Sequence, residues 1–445
     1  MTPPGQFIRA IGLGRATAMV VGTIIGASIF VQPSLVSGAV PTRSGVLLVW
    51  ACAGVLTLIG ALITAELASA FPRTGGVYVF LKEAYSPVLA YLWGWAMFWS
   101  MHSGIIAAIA TVFARYLGHF VELGDLGTRA AAVGCIVVLS AVNYFGVRQA
   151  SAVQTFFTAI KLLAVLLIVV LGVGYVVGHD TPSLPTGAAP AMTYGAFVRA
   201  MVAGLFAYGG WHMVTYAAEE TRDPTRTIPR ALIIGTAIVT VAYIAINAAY
   251  LAVLPLEEVV TSNRVAADFA DAVLGSGGAS ALSALVILSA IGGLTGIILA
   301  GPRVYLAMAS DGLLFRWAGA VHPTYRTPHV AIVFQAVWSS VLVWTGTYRA
   351  LFTRVVYTEW IFFALMAASL YVLRQRSDYR PTYRVKGFRV LAGIFVLSSA
   401  AIVFHQVLTE PRESITGLAL VLAGLPVYWI WMRRRKPAGE RVESH

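Results

Sequence analysis

Apolar stretches of about 20 residues, nearly free of charge, recur along the whole of this 445-residue chain. Coiled as a helix, a stretch of that length matches the hydrocarbon thickness of a bilayer, and lipid leaves an exposed backbone few other ways to satisfy its hydrogen bonds. Composition agrees, with 58% of residues hydrophobic and only 11% charged, against about 45–50% and about 25% in soluble domains. A nuclease, a secreted disulfide scaffold and a disordered regulator are excluded together.

Charges, Gly and Pro divide the chain into about twelve spans, near 16–37, 45–70, 88–117, 129–147, 151–177, 195–218, 230–254, 280–308, 328–346, 352–373, 388–408 and 415–432. The expected class is an all-α polytopic membrane protein. Arg9 and Arg15 run into the first span without a small-residue cleavage site, which predicts a retained helix and not a signal peptide. An even count returns both termini to one side. That side gathers Arg73, Lys82, Arg148, Arg222, Arg226, Arg230, Arg303, Arg316, Arg326, the run Arg374 to Arg389 and the tail from Arg433. Far fewer basic residues lie opposite, among them Arg43, Arg129, Arg264, Arg349 and Arg412, so cytoplasmic termini and an inner, plasma-membrane location are expected. Pro182, Pro185 and Pro190 predict a loop over 179–194. The net charge of +12 reads as phospholipid anchoring, as in Arg433-Arg434-Arg435-Lys436, and predicts no nucleic-acid partner. Cys52 and Cys135 both lie inside apolar runs, with neither metal-ligand spacing nor a disulfide framework. No cofactor or enzyme motif is present, which predicts no catalytic residues.

Two spans carry glycine where a helix needs continuity. Gly22 and Gly26 bracket Thr23-Ile24-Ile25 in the first, and Gly204 with the pair Gly209-Gly210 interrupts the sixth. Such glycines cost about 1 kcal/mol each relative to Ala in a helix interior. One account is close helix packing, since Gly22 and Gly26 form a GxxxG pair. The other is a break that exposes amides and carbonyls to a ligand, and matching interruptions in two halves are the best sequence pointer to a transporter site. The sixth span follows the first by five, so residues 15–178 and 195–373 form two five-helix halves, the second inverted. Residues 1–14, 374–432 and 433–445 supply a terminal segment, a loop with two extra spans and a basic tail. A half-helix starting near Ala27 suits a carboxylate, and carbonyls near Ile24, Phe206 and Gly209 suit an ammonium.

The stretch Val21 to Phe30, VGTIIGASIF, resembles the first-helix signature of the amino acid–polyamine–organocation superfamily, and within it the L-type amino acid transporters and their bacterial relatives. Phe206-Ala207-Tyr208-Gly209-Gly210-Trp211, Glu219-Glu220 with Pro224, Ile228-Pro229-Arg230, Glu66-Leu67 with Pro72 to Gly76, and Gln154 to Lys161 carry the likeness further, over about residues 10–390. The resemblance implies a LeuT-type fold of five-plus-five inverted repeats with broken first and sixth helices and alternating access. It implies substrate carboxylate on the Ala27 and Ser28 amides near Gly26, the amino group on the Ile24, Phe206 and Gly209 carbonyls, neighbouring Ala207 in the site, and Phe206 as a lid. Ser28 departs from the glycine usual there, which predicts a smaller pocket. His212 and His102 are further candidates for a substrate side chain, with a structural role as the alternative.

Lys161 lies about ten residues into its span, on the order of 15 Å from the interface, too deep to snorkel. In the family a lysine here contacts the unwound first helix, near Gly22, on ground that sodium holds in sodium-coupled members. Sodium-independent transport follows, with Lys161 joining the fifth, first and eighth spans, the last at Ser289. Whether Lys161 also titrates is open. Glu66, near the cytoplasmic end of the second span, and Glu359, early in the tenth, are weaker coupling candidates. Glu219, Glu220, Arg222, Asp223, Arg226 and Arg230 read chiefly as a solvated salt-bridge network, alternatively as an inner-gate latch. The expected function is exchange of small neutral L-amino acids, the alternatives being proton-coupled symport on the same fold and a membrane receptor or subunit without transport. A cationic substrate is disfavoured, because no acidic residue stands near either break. The family's accessory glycoprotein bonds to a cysteine between the third and fourth spans. Residues 117–129 hold none, so no disulfide-linked subunit is expected.

Overall fold

The computed structural model describes residues 9–434 apart from 10, 41, 179–191, 276 and 347. The loop prolines Pro182, Pro185 and Pro190, the first eight residues and the tail beyond 434 lie outside the described residues. The chain opens with α1 (Leu13–Ile24), a 3-10 turn (Ala27–Phe30), α2 (Gln32–Ala39), α3 (Arg43–Ala70) and the short α4 (Val77–Ala84). Then come α5 (Pro87–Ala96), a π-helical turn (Met97–Met101), α6 (His102–Leu117), α7 (Asp125–Phe145) and α8 (Val147–Gly178). A second series follows with α9 (Tyr194–Ala207), a 3-10 segment (Trp211–Glu220), α10 (Pro224–Val253), α11 (Leu256–Thr261), α12 (Val265–Leu274) and α13 (Gly278–Ser310). The chain continues through α14 (His329–Thr345), α15 (Tyr348–Leu373), α16 (Phe388–Thr409), α17 (Pro411–Leu422) and α18 (Gly424–Arg434).

Local chemistry starts several of these helices where the polar residues stand. Thr42 Oγ1 accepts from the Gly45 amide at 3.1 Å, Ser86 Oγ from Leu89 at 3.3 Å and Thr193 Oγ1 from Ala196 at 3.2 Å. Each satisfies an amide that has no acceptor inside its own helix.

Nine helices among the described residues are long and apolar enough to cross a bilayer, against the about twelve spans expected from hydropathy. The three missing are the first, sixth and ninth. α1 has 12 residues and α9 has 14, because each stops where its glycines interrupt it, and α14 has 17. Hydropathy does not register a break in hydrogen bonding, so it counts two separate pieces as one run. It also missed α4, α11 and α12, short helices in segments read as loops, and the π-helical turn that divides the third span.

The bundle core is made by α3 laid along α10 and by α8 laid along α13, with α1 held against α8 and α10. α4 crosses one end of this bundle. Gly76, with φ of +49°, gives the chain its turn into α4, and a Cβ there would stand 2.1 Å from Thr215 Oγ1. Lys82 Nζ on α4 then meets Asp311, beyond α13, at 2.7 Å, and the Tyr78 hydroxyl donates to the same carboxylate at 2.6 Å.

At the same end the fully buried Glu66 of α3 gathers the segment after α15. Arg374 Nε donates to it at 2.8 Å, the Val385 amide at 2.7 Å and the Tyr379 hydroxyl at 3.3 Å. Burial first, and then the Glu66 charge, raises the Tyr379 phenol above its ordinary range, so it stays a donor. Glu66 thus has a structural assignment, as the anchor of the 374–387 connection. Removing one partner of a buried pair leaves a charge without compensation, at a cost of about 3–5 kcal/mol. Arg374→Ala is therefore expected to lower the unfolding midpoint of the detergent-purified protein sharply. Arg73→Ala, which opens the exposed Arg73–Glu83 pair, should move it little; equal shifts would contradict the anchor role.

Candidate functional site

The first break begins at Gly26. Its amide does not close the helical bond to Gly22 and turns to the Ile24 carbonyl at 2.7 Å, with Ile25 at ψ of 80°. The Gly22 carbonyl is thereby released, and Lys161 Nζ of α8 donates to it at 2.9 Å. Lys161 is fully buried, so a carbonyl with no helical partner and an ammonium with no water satisfy each other. The 3-10 turn that follows starts afresh. Its leading amides, those of Ala27 and Ser28, have no acceptor within the turn and stand at its positive end.

The second break lies at Tyr208-Gly209-Gly210, with the Gly209 amide folded back on the Phe206 carbonyl at 3.0 Å. Gly210 has φ of +97°, and a Cβ there would stand 2.9 Å from the Thr23 carbonyl oxygen. The two interrupted backbones therefore touch, and only glycine lets them. Thr23 Oγ1 lies 3.2 Å from the Gly210 carbonyl oxygen across the contact and 2.7 Å from that of Met19 on its own helix, and its one proton serves one of them at a time. Tyr243 of α10 secures both from behind, its hydroxyl lying 2.9 Å from the Ile24 carbonyl oxygen and 3.1 Å from that of Ala207. One hydroxyl proton serves either acceptor, not both at once.

Between the breaks lies a small cavity of about 20 Å³, room for about one water and well below the roughly 300–1,000 Å³ usual for an open small-molecule site. It brings together five of the residues singled out in the sequence: Ile24, Gly26, Ser28, Phe206 and Gly209. Ala27 and Ala207 are buried but do not line this cavity. Gly22 and Lys161 form the contact described above, and Ser289 is buried on α13 with no hydrogen-bond partner for its hydroxyl among the described residues. His102 and His212 are not in the lining. His102 Nε2 lies 2.7 Å from the Ile297 carbonyl oxygen, which fixes its proton, and His212 packs its ring among Trp93, Trp211 and Phe363.

The cavity's apolar walls come from elements whose sequence gave no sign of them. Ile105 and Ile109 of α6, Ile297 of α13 and Val355 of α15 make its apolar walls, and Glu359 of α15 adds a carboxylate. α6 starts directly after the π-helical turn, which absorbs an extra residue and thereby sets the face that α6 turns inward. Glu359 stood out in the sequence as an acid in an apolar span, yet its place at the breaks depends on how α15 packs.

The acidic and basic residues after the second break do not form one network. Glu220 leaves the group and pairs with Arg303 of α13 at 3.0 Å, both buried. The Ile11 amide donates to the Glu220 carbonyl at 3.0 Å and the Arg222 amide to that of Ile11 at 2.8 Å, which ties the N-terminal segment to this point. Glu219 accepts from the Thr74 amide at 3.3 Å, and the Arg222 guanidinium donates to the Arg9 carbonyl. Arg226 with Asp223 and the exposed Arg230 remain at the surface. The reading as a solvated network holds for this last group alone; Glu220 and Arg303 instead join the broken helix to α13.

A family model described as amino acid permease matches residues 11–431. The chain is 30% identical to the b(0,+)-type amino acid transporter 1 of Homo sapiens, over 98% of its own length and 90% of that protein. To the large neutral amino acids transporter small subunit 2 of Rattus norvegicus it is 31% identical, over 98% and 84%. To the cystine/glutamate transporter of Homo sapiens it is 29% identical, over 99% and 90%. These relatives correct one expectation. The rat protein is by its name a small subunit, so near relatives work within a larger assembly, and the lack of a cysteine over 117–129 is no ground for expecting a chain without an accessory partner. One missing residue type speaks only to one mode of attachment and leaves non-covalent contact untouched. With the broken helices, the cavity and these matches together, the chain belongs to the amino acid permease family, within the amino acid–polyamine–organocation superfamily its motifs resemble.

Proposed function

We propose that this protein is a sodium-independent exchanger of small neutral L-amino acids that works by alternating access in the plasma membrane. In this reading about twelve crossings form two inverted five-helix repeats with two added helices, and both termini face the cytoplasm. The substrate carboxylate meets the Ala27 and Ser28 amides at the start of the 3-10 turn. Its ammonium meets the Ile24, Phe206 and Gly209 carbonyls, at Ile24 in place of the Tyr243 hydroxyl, which then turns to Ala207. Phe206 closes over the bound molecule. The observation that carries the reading is the contact of two interrupted backbones, Thr23 against Gly210, beside a cavity where peptide groups of both signs are within reach.

Sodium independence rests on Lys161. Its ammonium already holds the Gly22 carbonyl, so the positive charge that this break requires is built into the chain. The modest cavity, narrowed by the Ser28 side chain, favours small substrates. The Glu220–Arg303 pair ties the second broken helix to α13 and serves as an inner latch, to be released when the site opens to that side. Proton-coupled symport is the second reading, favoured by one observation, the Glu359 carboxylate in the cavity; Glu66 is engaged by Arg374 and Val385.

Purified protein in liposomes decides between them. Uptake of labelled alanine, serine or leucine is expected to require an amino acid inside the vesicle and to be the same in sodium and choline. Uptake into empty vesicles driven by a pH gradient would overturn exchange in favour of symport. Lys161→Ala is expected to reduce exchange at least about tenfold with unchanged expression, since it strands a buried carbonyl at about 1–3 kcal/mol; normal kinetics would remove its role. Gly210→Ala should lower exchange by about 5- to 30-fold, from about 1–2 kcal/mol of left-handed strain besides the Thr23 contact; wild-type turnover would show that the breaks need not touch.

A further inference from the structure

The loop after α6 meets α12 and α13 through a histidine. His119 Nδ1 lies 2.8 Å from Arg264 Nη1, at the start of α12, and its Nε2 lies 2.9 Å from the Ser280 hydroxyl, in the first turn of α13. A guanidinium donates and never accepts, so Nδ1 is the acceptor and carries no proton. The ring proton sits on Nε2 and goes to Ser280 Oγ. Neutral imidazole alone makes both contacts together. An imidazolium would set two donors and two positive charges face to face, on side chains that are each half-buried.

The other charged groups here leave that contact to the ring and give Arg264 somewhere to go when it fails. Glu258 of α11 and Asp268 of α12 are exposed and share a hollow with Arg264. Asp268 accepts from the Ser262 hydroxyl, whose oxygen in turn receives the Arg264 amide at 3.0 Å. Arg115 and Glu122, on either side of His119 in the chain, and Glu257 of α11 are exposed. Asp271, toward the far end of α12, accepts from the Ala279 amide at 2.9 Å, a bond that protonating the ring does not touch. Losing the His119 contact therefore frees α11 and the start of α12 while the end of α12 stays on α13, which makes a hinge.

What this hinge carries bears on the first break. α11 lies along α2, which continues the broken first helix beyond its 3-10 turn, and the Ser34 hydroxyl donates to the Val260 carbonyl at 3.4 Å. One turn before His119, Tyr116 donates to the Phe30 carbonyl at the end of that 3-10 turn, at 3.1 Å. We propose that His119 is a proton-operated lock. Neutral, it pins α11 and the start of α12 to α6 and α13; protonated, it releases Arg264 to Glu258 and Asp268, frees α2 to move and favours the state open on that side. Only its effect on flux rests on the transport reading above.

Hydrogen exchange of the full-length protein in detergent tests the lock, and uptake in liposomes at equal pH inside and out tests its effect without a driving gradient. Corrected for the intrinsic rate, wild-type amides of α11 and the first turn of α12 are expected to exchange about 10- to 100-fold faster at about pH 5 than at about pH 8, the loss of one hydrogen bond to a charged group. Acid should also lower the KM for uptake. His119→Gln offers Arg264 an acceptor and Ser280 a donor without titrating, and should stay protected at both pH values. Arg264→Gln accepts from or donates to either form of the ring, and should lose the response from the other side of the contact. Equal wild-type protection at both pH values would overturn the lock, as would a response that persists in both variants and so belongs to Glu258 or Asp268. The expected amide response without any amino acid flux would sustain the lock and overturn the transport reading; flux without the amide response would do the reverse.

Discussion

Backbone groups inside a bilayer have no water to turn to, and the interior of this protein is arranged around two places where the helix does not supply their partners. At each break the released groups are met by something brought from elsewhere in the chain. Lys161 takes the Gly22 carbonyl, Tyr243 stands between the Ile24 and Ala207 carbonyls, and Thr23 packs against Gly210. Each partner sits on or against a helix that packs lengthwise on a neighbour, α8 on α13 and α10 on α3. The continuous helices thus hold the interrupted ones in a conformation that neither would keep alone. The amides of Ala27 and Ser28 are left without an acceptor inside the turn by this arrangement.

The buried charges follow the same logic and divide into three uses. Glu66 with Arg374, and Glu220 with Arg303, are paired and tie segments together at one end of the bundle. Lys161 is matched by a carbonyl and stays in place as part of the break. Glu359 lies in the cavity lining and, among the described residues, has no ion-pair partner. Because charge burial without compensation is so unfavourable, these pairings mark the groups that hold the fold.

Several sequence readings survive in the structure for reasons visible in the residues. Gly22, Gly26, Gly209 and Gly210 mark the breaks because a missing Cβ is detectable in the sequence, and a positive φ at Gly210 requires it. Lys161 announced itself as a charge at mid-span depth. Other features had no local signal. Helices α4, α11 and α12 are short and bordered by charge, so hydropathy reads them as loops, and the π-helical turn at Met97 lies inside an unbroken apolar run. The six charges around Glu220 looked like one cluster because they are neighbours in sequence, yet Glu220 finds its partner on α13. His102 and His212 stood out by residue type, while their bonds and packing turn them toward Ile297 and the aromatic rings of Trp93, Trp211 and Phe363.

The sequence by itself determined the solvent, the helical class and the two positions where helix gives way, since all three follow from side-chain polarity and from where a side chain is absent. Tertiary structure decided which groups meet: that Thr23 touches Gly210, that Arg303 rather than a neighbouring arginine neutralises Glu220, and that Glu359 enters the cavity while Glu66 does not. Hydropathy is a sum over neighbours along the chain, whereas the pairing of a buried charge is set by which helix faces it, 83 residues away for Glu220 and 308 for Glu66. That choice is made by packing, and packing has no signature in any local stretch of sequence.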